Sequence, residues 1–113
     1  MAGCIFCRVI SGELPGRFVY RDNHVVAFKD IVPKAPVHVL VVPVKHIAGI
    51  SDANENDQEL LGKLLLAVKK VAKDLKIEQS GYKIVVNNGE GAGQVVFHLH
   101  LHVIGGWKEK QQW

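Results

Sequence analysis

The sequence has no apolar stretch long enough to cross a membrane and no segment typical of an export signal. Its longest apolar run is centred on residues 39–42, far short of the roughly 18 residues that a membrane-spanning helix needs. The first residues show no basic leader followed by an apolar run, which is the pattern of a secretory signal. We therefore expect a cytoplasmic protein without a membrane partner.

Blocks of positive charge are also absent. The chain has 14 Lys or Arg and 11 Asp or Glu residues, a net charge of +3, and no Lys or Arg block longer than two. Lysines cluster between positions 63 and 76, but no aromatic residues lie among them. Because interleaved aromatics are typical of nucleic-acid binding, we interpret these lysines as the solvated face of a helix and expect no nucleic-acid partner.

The overall composition is that of an ordinary globular protein. Apolar residues make up 48% of the chain and charged residues 22%, which excludes the disordered, collagen-like and low-complexity classes. A length of 113 residues fits one domain, so we assign residues 1–113 to a single domain.

One long helix is predicted over residues 52–76. Acidic residues dominate its first turns and basic residues its last, and Asp52 and Glu55 have the spacing of a capping box. At 100° per residue the apolar residues, Leu66 excepted, fall on one arc of about 160°. An arc this wide indicates a deeply buried helix or a helix covered jointly by its own sheet and a partner. The residues on it are Leu60, Leu61, Leu64, Leu65, Ala67, Val68, Val71, Ala72 and Leu75.

The remaining patterned segments predict strands. Each is rich in β-branched or aromatic residues and bounded by turn formers. Because strands on both sides of one helix are joined mostly by tight turns, the sequence favours an α+β fold with an antiparallel sheet. The predicted strands cover residues 18–20, 25–28, 37–42, 82–86 and 97–104.

Three histidines alternate with apolar residues in the last predicted strand. Side chains of a strand alternate between its faces, so His98, His100 and His102 would share one face, while Phe97 and Leu99 begin the face that packs in the core. Neighbouring members would be about 6.6 Å apart and the outer two about 13 Å. One metal ion could bind two of them but not three, so at least one imidazole has another role. The alternative is a half-exposed strand whose polar face happens to be histidine.

Cys4 and Cys7 form the only cysteine pair. A structural disulfide is not expected in a chain without an export signal, and a redox dithiol usually lies in a βαβ context that is missing here. The spacing lets two thiolates share one tetrahedral ion, so we interpret the pair as half of a zinc site that histidines complete. The alternative is two ordinary small hydrophobic residues.

Three further features have both a functional and a structural interpretation. The glycine-rich loop at residues 89–94 could form a nest of N–H groups for a phosphate, or simply a flexible connection. His38 lies in an apolar strand, where a satisfied core residue and a catalyst are both possible. Asp30 ends a strand and could be a turn former.

The run His98-Leu99-His100-Leu101-His102-Val103-Ile104 matches the His-φ-His-φ-His-φ-φ signature, with φ apolar, of the histidine triad (HIT) superfamily. The sequence most resembles its Hint branch of small nucleotide-binding hydrolases. The resemblance implies an α+β fold and a homodimer in which two sheets join edge to edge and the long helices pack together. Flanking segments fall in the expected order at residues 4–8, 11–15, 28–33, 36–38, 42–46, 86–87 and 93–94.

The resemblance also implies roles for individual residues. His100 corresponds to the nucleophile that attacks the α-phosphorus and forms a nucleotidyl-histidine, which divides one displacement into two. His102 and His38 would surround the phosphate, and Asp30 would accept hydrogen bonds from the ribose hydroxyls. Asn87 and the main chain of Gly93 and Gln94 would help to hold the phosphate. The positions that match the lining of the nucleobase pocket are Phe6, Val9, Phe28, Ile31 and Leu40.

Two positions distinguish this chain within the Hint branch. Many Hint proteins lack both cysteines, and the sequence resembles the subset in which a structural zinc ion is bound by Cys4, Cys7, His46 and His98. Val95, which belongs to the same nucleotide-binding region, stands where many Hint enzymes have a Ser or Thr that hydrogen-bonds the leaving group.

The predicted function is that of a hydrolase or transferase acting on purine (AMP- or GMP-type) nucleoside phosphoramidates or adenylates. One alternative is a dinucleoside polyphosphate hydrolase, which Val95 makes more credible. The other is a nucleotide- or zinc-binding interaction protein with little turnover.

Overall fold

The chain folds as one antiparallel sheet with a long helix against it. The computed structural model describes residues 3–113, so residues 1 and 2 of the predicted domain lie outside the described range. The architecture confirms the predicted α+β fold. Its elements are α1 (Ile5–Ile10), β1 (Phe18–Arg21), β2 (Val25–Lys29), β3 (Val37–Pro43), α2 (Gln58–Asp74), β4 (Tyr82–Val85) and β5 (Leu101–Gly105), with 3-10 turns at Ile50–Asp52, Glu55–Asp57 and Glu90–Ala92.

The strand order is β1-β2-β3-β5-β4, and every neighbouring pair is antiparallel. Between β3 and β5, His38 lies opposite Ile104 and Leu40 lies opposite His102. Residues opposite each other share a face, as do residues two apart on one strand. His38 and His102 are therefore diagonal neighbours on one face, although 64 positions separate them in the sequence.

The two faces of the sheet have different partners. On one face Val39, Val41 and Val103 pack against Leu64 and Val68 of α2. On the other face α1 contributes Phe6 and Val9, which pack against side chains of β2 and β3 such as Val26, Phe28, Leu40 and Val42. Because β2 and β3 are covered on both faces, their sequences are almost continuously apolar.

The long helix begins at Gln58, so the predicted start at residue 52 is wrong. The backbone is extended at Ala53 and Asn54, which places Asp52 and Glu55 in separate 3-10 turns. The capping box is formed by Asn54 and Asp57, and the Asp57 carboxylate accepts a hydrogen bond from the Asn54 N–H at 3.0 Å. The helix ends at Asp74, and Lys76 adopts a left-handed φ of 61°.

The sheet covers only part of the apolar arc of α2. Leu64, Val68 and Val71 are fully buried, whereas Leu65 is 55% exposed and Leu66 is 67% exposed. Leu65 was predicted to lie within the arc, and the structure places it on the outer side. No helix within residues 3–113 has the length and apolarity needed to cross a bilayer.

The segment before β5 also differs from the prediction. The strand begins at Leu101, and residues 97–100 approach it outside the sheet ladder. The Leu99 N–H donates instead to the Ile47 carbonyl, in the loop after β3. Leu99 is buried as expected, but Phe97 is 50% exposed and does not pack in the core. The alternation of faces therefore fails where the first two histidines of the triplet lie.

Candidate functional site

A cavity of about 1070 Å³ opens between α1, the sheet face beneath it and the loops around residues 30–34 and 93–96. Its floor is apolar and its polar groups lie along one side. Among the residues selected from the sequence, the cavity is lined by Phe6, Val9, Phe28, Asp30, Ile31, His38, Leu40, Asn87, Gly93, Val95, His100 and His102.

The floor and the rim of this cavity differ in exposure. Phe6, Phe28 and Leu40 are buried, whereas Ile31 is 94% exposed and Val95 is 83% exposed. Large apolar side chains are usually left this open on a soluble protein only singly or at a binding surface. The cavity therefore has an apolar floor with an apolar rim that a ligand can cover.

His100 is buried beside the cavity and held in one tautomer. Its Nδ1 lies 2.7 Å from the His98 carbonyl, which can only accept, so Nδ1 carries the proton. In the neutral ring Nε2 then has the free electron pair. The edge of Phe6 packs against the imidazole, with ring centres 5.1 Å apart. This arrangement presents a nucleophilic nitrogen whose ring cannot rotate freely.

His38, His102 and Asp30 form a connected group next to His100. His38 Nε2 lies 2.9 Å from His102 Nδ1 and 3.4 Å from the Asp30 carboxylate. The rings of His100 and His102 have centres 4.9 Å apart. Three imidazoles and one carboxylate therefore meet along one side of the cavity.

Burial keeps the imidazoles of His38 and His102 uncharged at neutral pH. Burial, followed by the neighbouring His100 and His38, lowers the pKa of His102 to about 4. Burial also lowers the pKa of His38, an effect that the nearby Asp30 carboxylate opposes. Both side chains therefore act as N–H donors at pH 7 and not as cations.

The glycine-rich loop is held by side-chain amides. The Gln94 amide donates to the carbonyls of Ala48 and Val96 at 2.7 and 3.1 Å, and its oxygen accepts from the Gly89 N–H at 2.8 Å. The Gln94 side chain is thus directed into the loop and does not line the cavity, which leaves only its main chain to meet a ligand. Gly93 has a φ of 88°, which favours glycine, and it borders the cavity.

A second cluster lies behind His100. The ligating atoms of Cys4, Cys7, His46 and His98 all lie within 4.8 Å of one another. His98 Nδ1 is 3.2 Å from Cys4 Sγ, 3.5 Å from Cys7 Sγ and 3.1 Å from His46 Nδ1. A tetrahedral zinc ion keeps its nitrogen and sulfur ligands about 3.3–3.8 Å apart. The donor set and its spacing therefore fit a metal ion of this kind.

A main-chain hydrogen bond orients the His98 ring for metal binding. Its Nε2 lies 2.8 Å from the Pro43 carbonyl, so Nε2 carries the proton and Nδ1, which faces the two sulfurs, is free to bind an ion. The Cys7 N–H donates to Cys4 Sγ at 3.3 Å at the start of α1, which fixes the first thiol. His98 and His100 thus serve different sites.

Comparison with known proteins identifies the family. Residues 11–109 match the HIT domain model. The chain belongs to the HIT domain family. A HIT-like protein from Synechocystis is 50% identical over 102 residues, which are 90% of this chain and 89% of that protein.

Two solved HIT structures extend this comparison. A HIT family hydrolase from Clostridium thermocellum superposes with a TM-score of 0.95 at 45% identity, covering 99% of this chain and 97% of that one. A histidine triad nucleotide-binding protein from Candida albicans gives a TM-score of 0.83 at 33% identity, covering 97% and 86%. Hydrolase chemistry is therefore supported at the level of the family.

Some parts of this HIT domain site were not apparent in its sequence. The helix α1, which carries Phe6, Val9 and Cys7, has six residues and is too short to give a clear helical period. Arg17 and Lys34 also line the cavity and were not selected. The turn formers around these two residues are the only local signal, and such turns are common away from sites.

The lowered pKa of His102 predicts that its imidazole stays neutral from pH 8 down to pH 5. A histidine in the unfolded chain titrates near 6.5, so only the unfolded state takes up this proton between about pH 6.5 and 4. His102 therefore makes folding less favourable as the pH falls through that interval. NMR titration of its ring C–H signals checks this, with the urea-unfolded protein as control. A folded-state midpoint above pH 6 would contradict it.

Proposed function

We propose that the protein is a nucleotide hydrolase or transferase that acts on purine nucleoside phosphoramidates or adenylates through a nucleotidyl intermediate on His100. The observation that carries the proposal is the state of His100 itself. Its Nδ1–H is engaged by the His98 carbonyl at 2.7 Å, and its ring borders the cavity with Nε2 as the free nucleophile.

The cavity has the features that a nucleotide requires. Phe6, Phe28 and Leu40 provide an apolar floor for a planar base, and Ile31 at the rim can cover its outer side. The Asp30 carboxylate, at the polar side, can accept hydrogen bonds from ribose hydroxyls. The name of the Candida albicans relative, a nucleotide-binding protein, supports the same ligand class.

The proposed reaction proceeds in two displacements. His100 Nε2 donates its electron pair to the α-phosphorus, a P–N bond forms, and the bond from phosphorus to the leaving group breaks with its electron pair going to that group. Water then attacks the same phosphorus, the P–N bond breaks, and the electron pair returns to Nε2. The His98 carbonyl stabilises the positive charge that the ring carries between the two steps.

The neutral His102 imidazole is suited to the phosphate, since His38 Nε2 lies 2.9 Å from its Nδ1 and leaves its Nε2–H to the cavity. His102 and His38 lie next to the proposed nucleophile, and Asn87 and Gly93 also line the cavity. N–H donors directed at the phosphoryl oxygens stabilise the charge that develops in the transition state. His102 would do so here without adding a fixed positive charge.

Val95 favours a second candidate, dinucleoside polyphosphate hydrolysis. Its exposed side chain borders the cavity and offers no proton to a leaving group. A nitrogen leaving group needs protonation, which general acids commonly accelerate by about 10²–10⁴-fold, whereas a polyphosphate leaves as a stable anion. Comparing kcat/KM for a nucleoside phosphoramidate and a dinucleoside polyphosphate separates the two candidates.

Replacing the nucleophile tests the enzymatic proposal. We expect His100→Asn to abolish turnover and to leave nucleotide affinity within about tenfold, or 1.4 kcal/mol. The Asn amide can still donate to the His98 carbonyl, but it cannot form the P–N bond. Turnover by a fluorogenic phosphoramidate assay and affinity by calorimetry check this.

The matched control is His24→Asn, since His24 is exposed in the turn between β1 and β2. This variant is expected to retain wild-type turnover. Wild-type turnover in His100→Asn would overturn the covalent mechanism, and the absence of turnover in every wild-type assay would favour the interaction protein.

We also propose that Cys4, Cys7, His46 and His98 bind one structural zinc ion. A zinc ion bound there would cross-link α1 to the segment before β5. It would take no part in the displacement at phosphorus. We expect near-equimolar zinc in protein purified without a histidine tag, and loss of that zinc in a Cys4→Ser, Cys7→Ser variant. A zinc content near zero after supplementation would contradict the proposal.

A homodimer is the third proposal. The edge strand β4 is open, its Ile84 is 43% exposed, and Leu65 and Leu66 leave an apolar patch on the outer side of α2. Joining two β4 edges would pair the open main chain, and packing the two α2 helices together would cover this patch. Light scattering at micromolar concentration is expected to give twice the chain mass of 12.5 kDa. A result equal to the single chain would contradict it.

A further inference from the structure

A second set of possible metal ligands lies in the cavity. His38 Nε2, His102 Nδ1 and the Asp30 carboxylate are within 4.8 Å of one another. Two imidazoles and one carboxylate are a common donor set for transition metals. The residue types alone therefore do not distinguish a metal site from a hydrogen-bonded chain.

The main chain of Lys34 distinguishes them. Its N–H donates to His38 Nδ1 at 2.9 Å. A ring nitrogen that accepts a hydrogen bond carries no proton, so the neutral His38 ring has its proton on Nε2. Nε2 is the atom that faces His102 and Asp30, and a protonated nitrogen has no electron pair to give to a metal ion.

His98 shows the opposite arrangement in the same protein. There the Pro43 carbonyl accepts from Nε2–H, so the free electron pair is on Nδ1, the atom that faces Cys4 and Cys7. His98 donates to a main-chain carbonyl, so its other nitrogen is free to bind a metal ion. His38 accepts from a main-chain N–H, so its other nitrogen carries the proton and is a hydrogen-bond donor. Main-chain partners select the chemistry of each ring.

We propose that the Lys34 backbone N–H is a positioning group that fixes His38 as the Nε2–H tautomer, so that His38 donates to His102 and the cluster with Asp30 binds no metal. His38 Nε2–H then donates to His102 Nδ1 at 2.9 Å. This leaves the His102 proton on Nε2, which has no side-chain partner within residues 3–113. That N–H is available to a phosphate in the cavity, a consequence that rests on the proposed function.

The sequence around Lys34 is consistent with a hydrogen bond from its main chain rather than from its side chain. Pro33 and Pro36 flank Lys34 and have no N–H of their own, which restricts both the loop and its donors. The Lys34 side chain is exposed, so the hydrogen bond to His38 does not depend on it. A substitution that keeps the N–H can therefore be compared with one that removes it.

The test reads the tautomers directly, by long-range ¹H–¹⁵N correlation spectra of the zinc-loaded protein with ¹⁵N-labelled histidine. We expect the Nε2–H tautomer for His38 and His102 in the wild type and in Lys34→Ala, which keeps the N–H. In Lys34→Pro, which lacks it, His38 is expected to shift towards the Nδ1–H form. An Nδ1–H wild-type ring, or identical spectra for folded Pro and Ala variants, would overturn the proposal.

A zinc titration tests the same idea without any substitution. After one equivalent is bound, further Zn²⁺ is expected to leave the ring signals of His38 and His102 unchanged. A shift of both sets of signals would show that the cluster is a metal site and would overturn the proposal. This measurement decides the matter even if Lys34→Pro does not fold.

Turnover tests the catalytic consequence separately. We expect kcat on a nucleoside phosphoramidate to be about tenfold or more lower in Lys34→Pro than in Lys34→Ala. If Lys34→Pro and Lys34→Ala have equal kcat values although their His38 tautomers differ, the His38 tautomer has no role in catalysis. The tautomers are measured without substrate. The tautomer result therefore stays valid even if the protein proves not to hydrolyse nucleotides.

Discussion

The hydrogen bond from His100 Nδ1 to the His98 carbonyl, 2.7 Å long, is the contact on which the site depends. It joins the two clusters through the main chain, and Phe6 packs against the rings of both His98 and His100. The ring of His98 faces the cysteines, and its carbonyl sets the tautomer of His100, the proposed nucleophile. Any displacement of the His98 main chain would therefore change the position of the His100 ring. A metal ion bound by the His98 ring would stabilise that main chain, and the proposed structural ion would then influence the proposed reaction without taking part in it.

The two faces of the sheet have different roles. The face against α2 is a closed apolar core, whereas the face against α1 contains both the apolar floor and the histidines. The six residues of α1 serve both clusters, because Cys7 faces the candidate metal site while Phe6 packs against His100. Phe6 and Val9 pack this short helix against the sheet, and an ion bound by the Cys4 and Cys7 thiols, as proposed, would anchor it further.

Much of this arrangement could be predicted from local sequence. The apolar runs at residues 25–28 and 37–42 are strands because both faces are covered, and the histidine pattern identified the family. The start of α2 was predicted too early, because the capping box of Asn54 and Asp57 closes a separate 3-10 turn and α2 begins only after Asp57. The segment at residues 97–100 leaves the sheet because Leu99 bonds to Ile47, and Gln94 turns inward to bond Ala48. These contacts join residues more than 45 positions apart, which no local pattern reports.

The most direct test of the covalent mechanism is to trap the intermediate. The protein would be mixed with a purine nucleoside phosphoramidate, quenched within milliseconds in alkaline denaturant to preserve the P–N bond, digested, and analysed by mass spectrometry. We expect one nucleoside monophosphate increment on the peptide that contains His100, localised to that ring and missing from His100→Asn. Turnover without any adduct, or an adduct on a different residue, would contradict it.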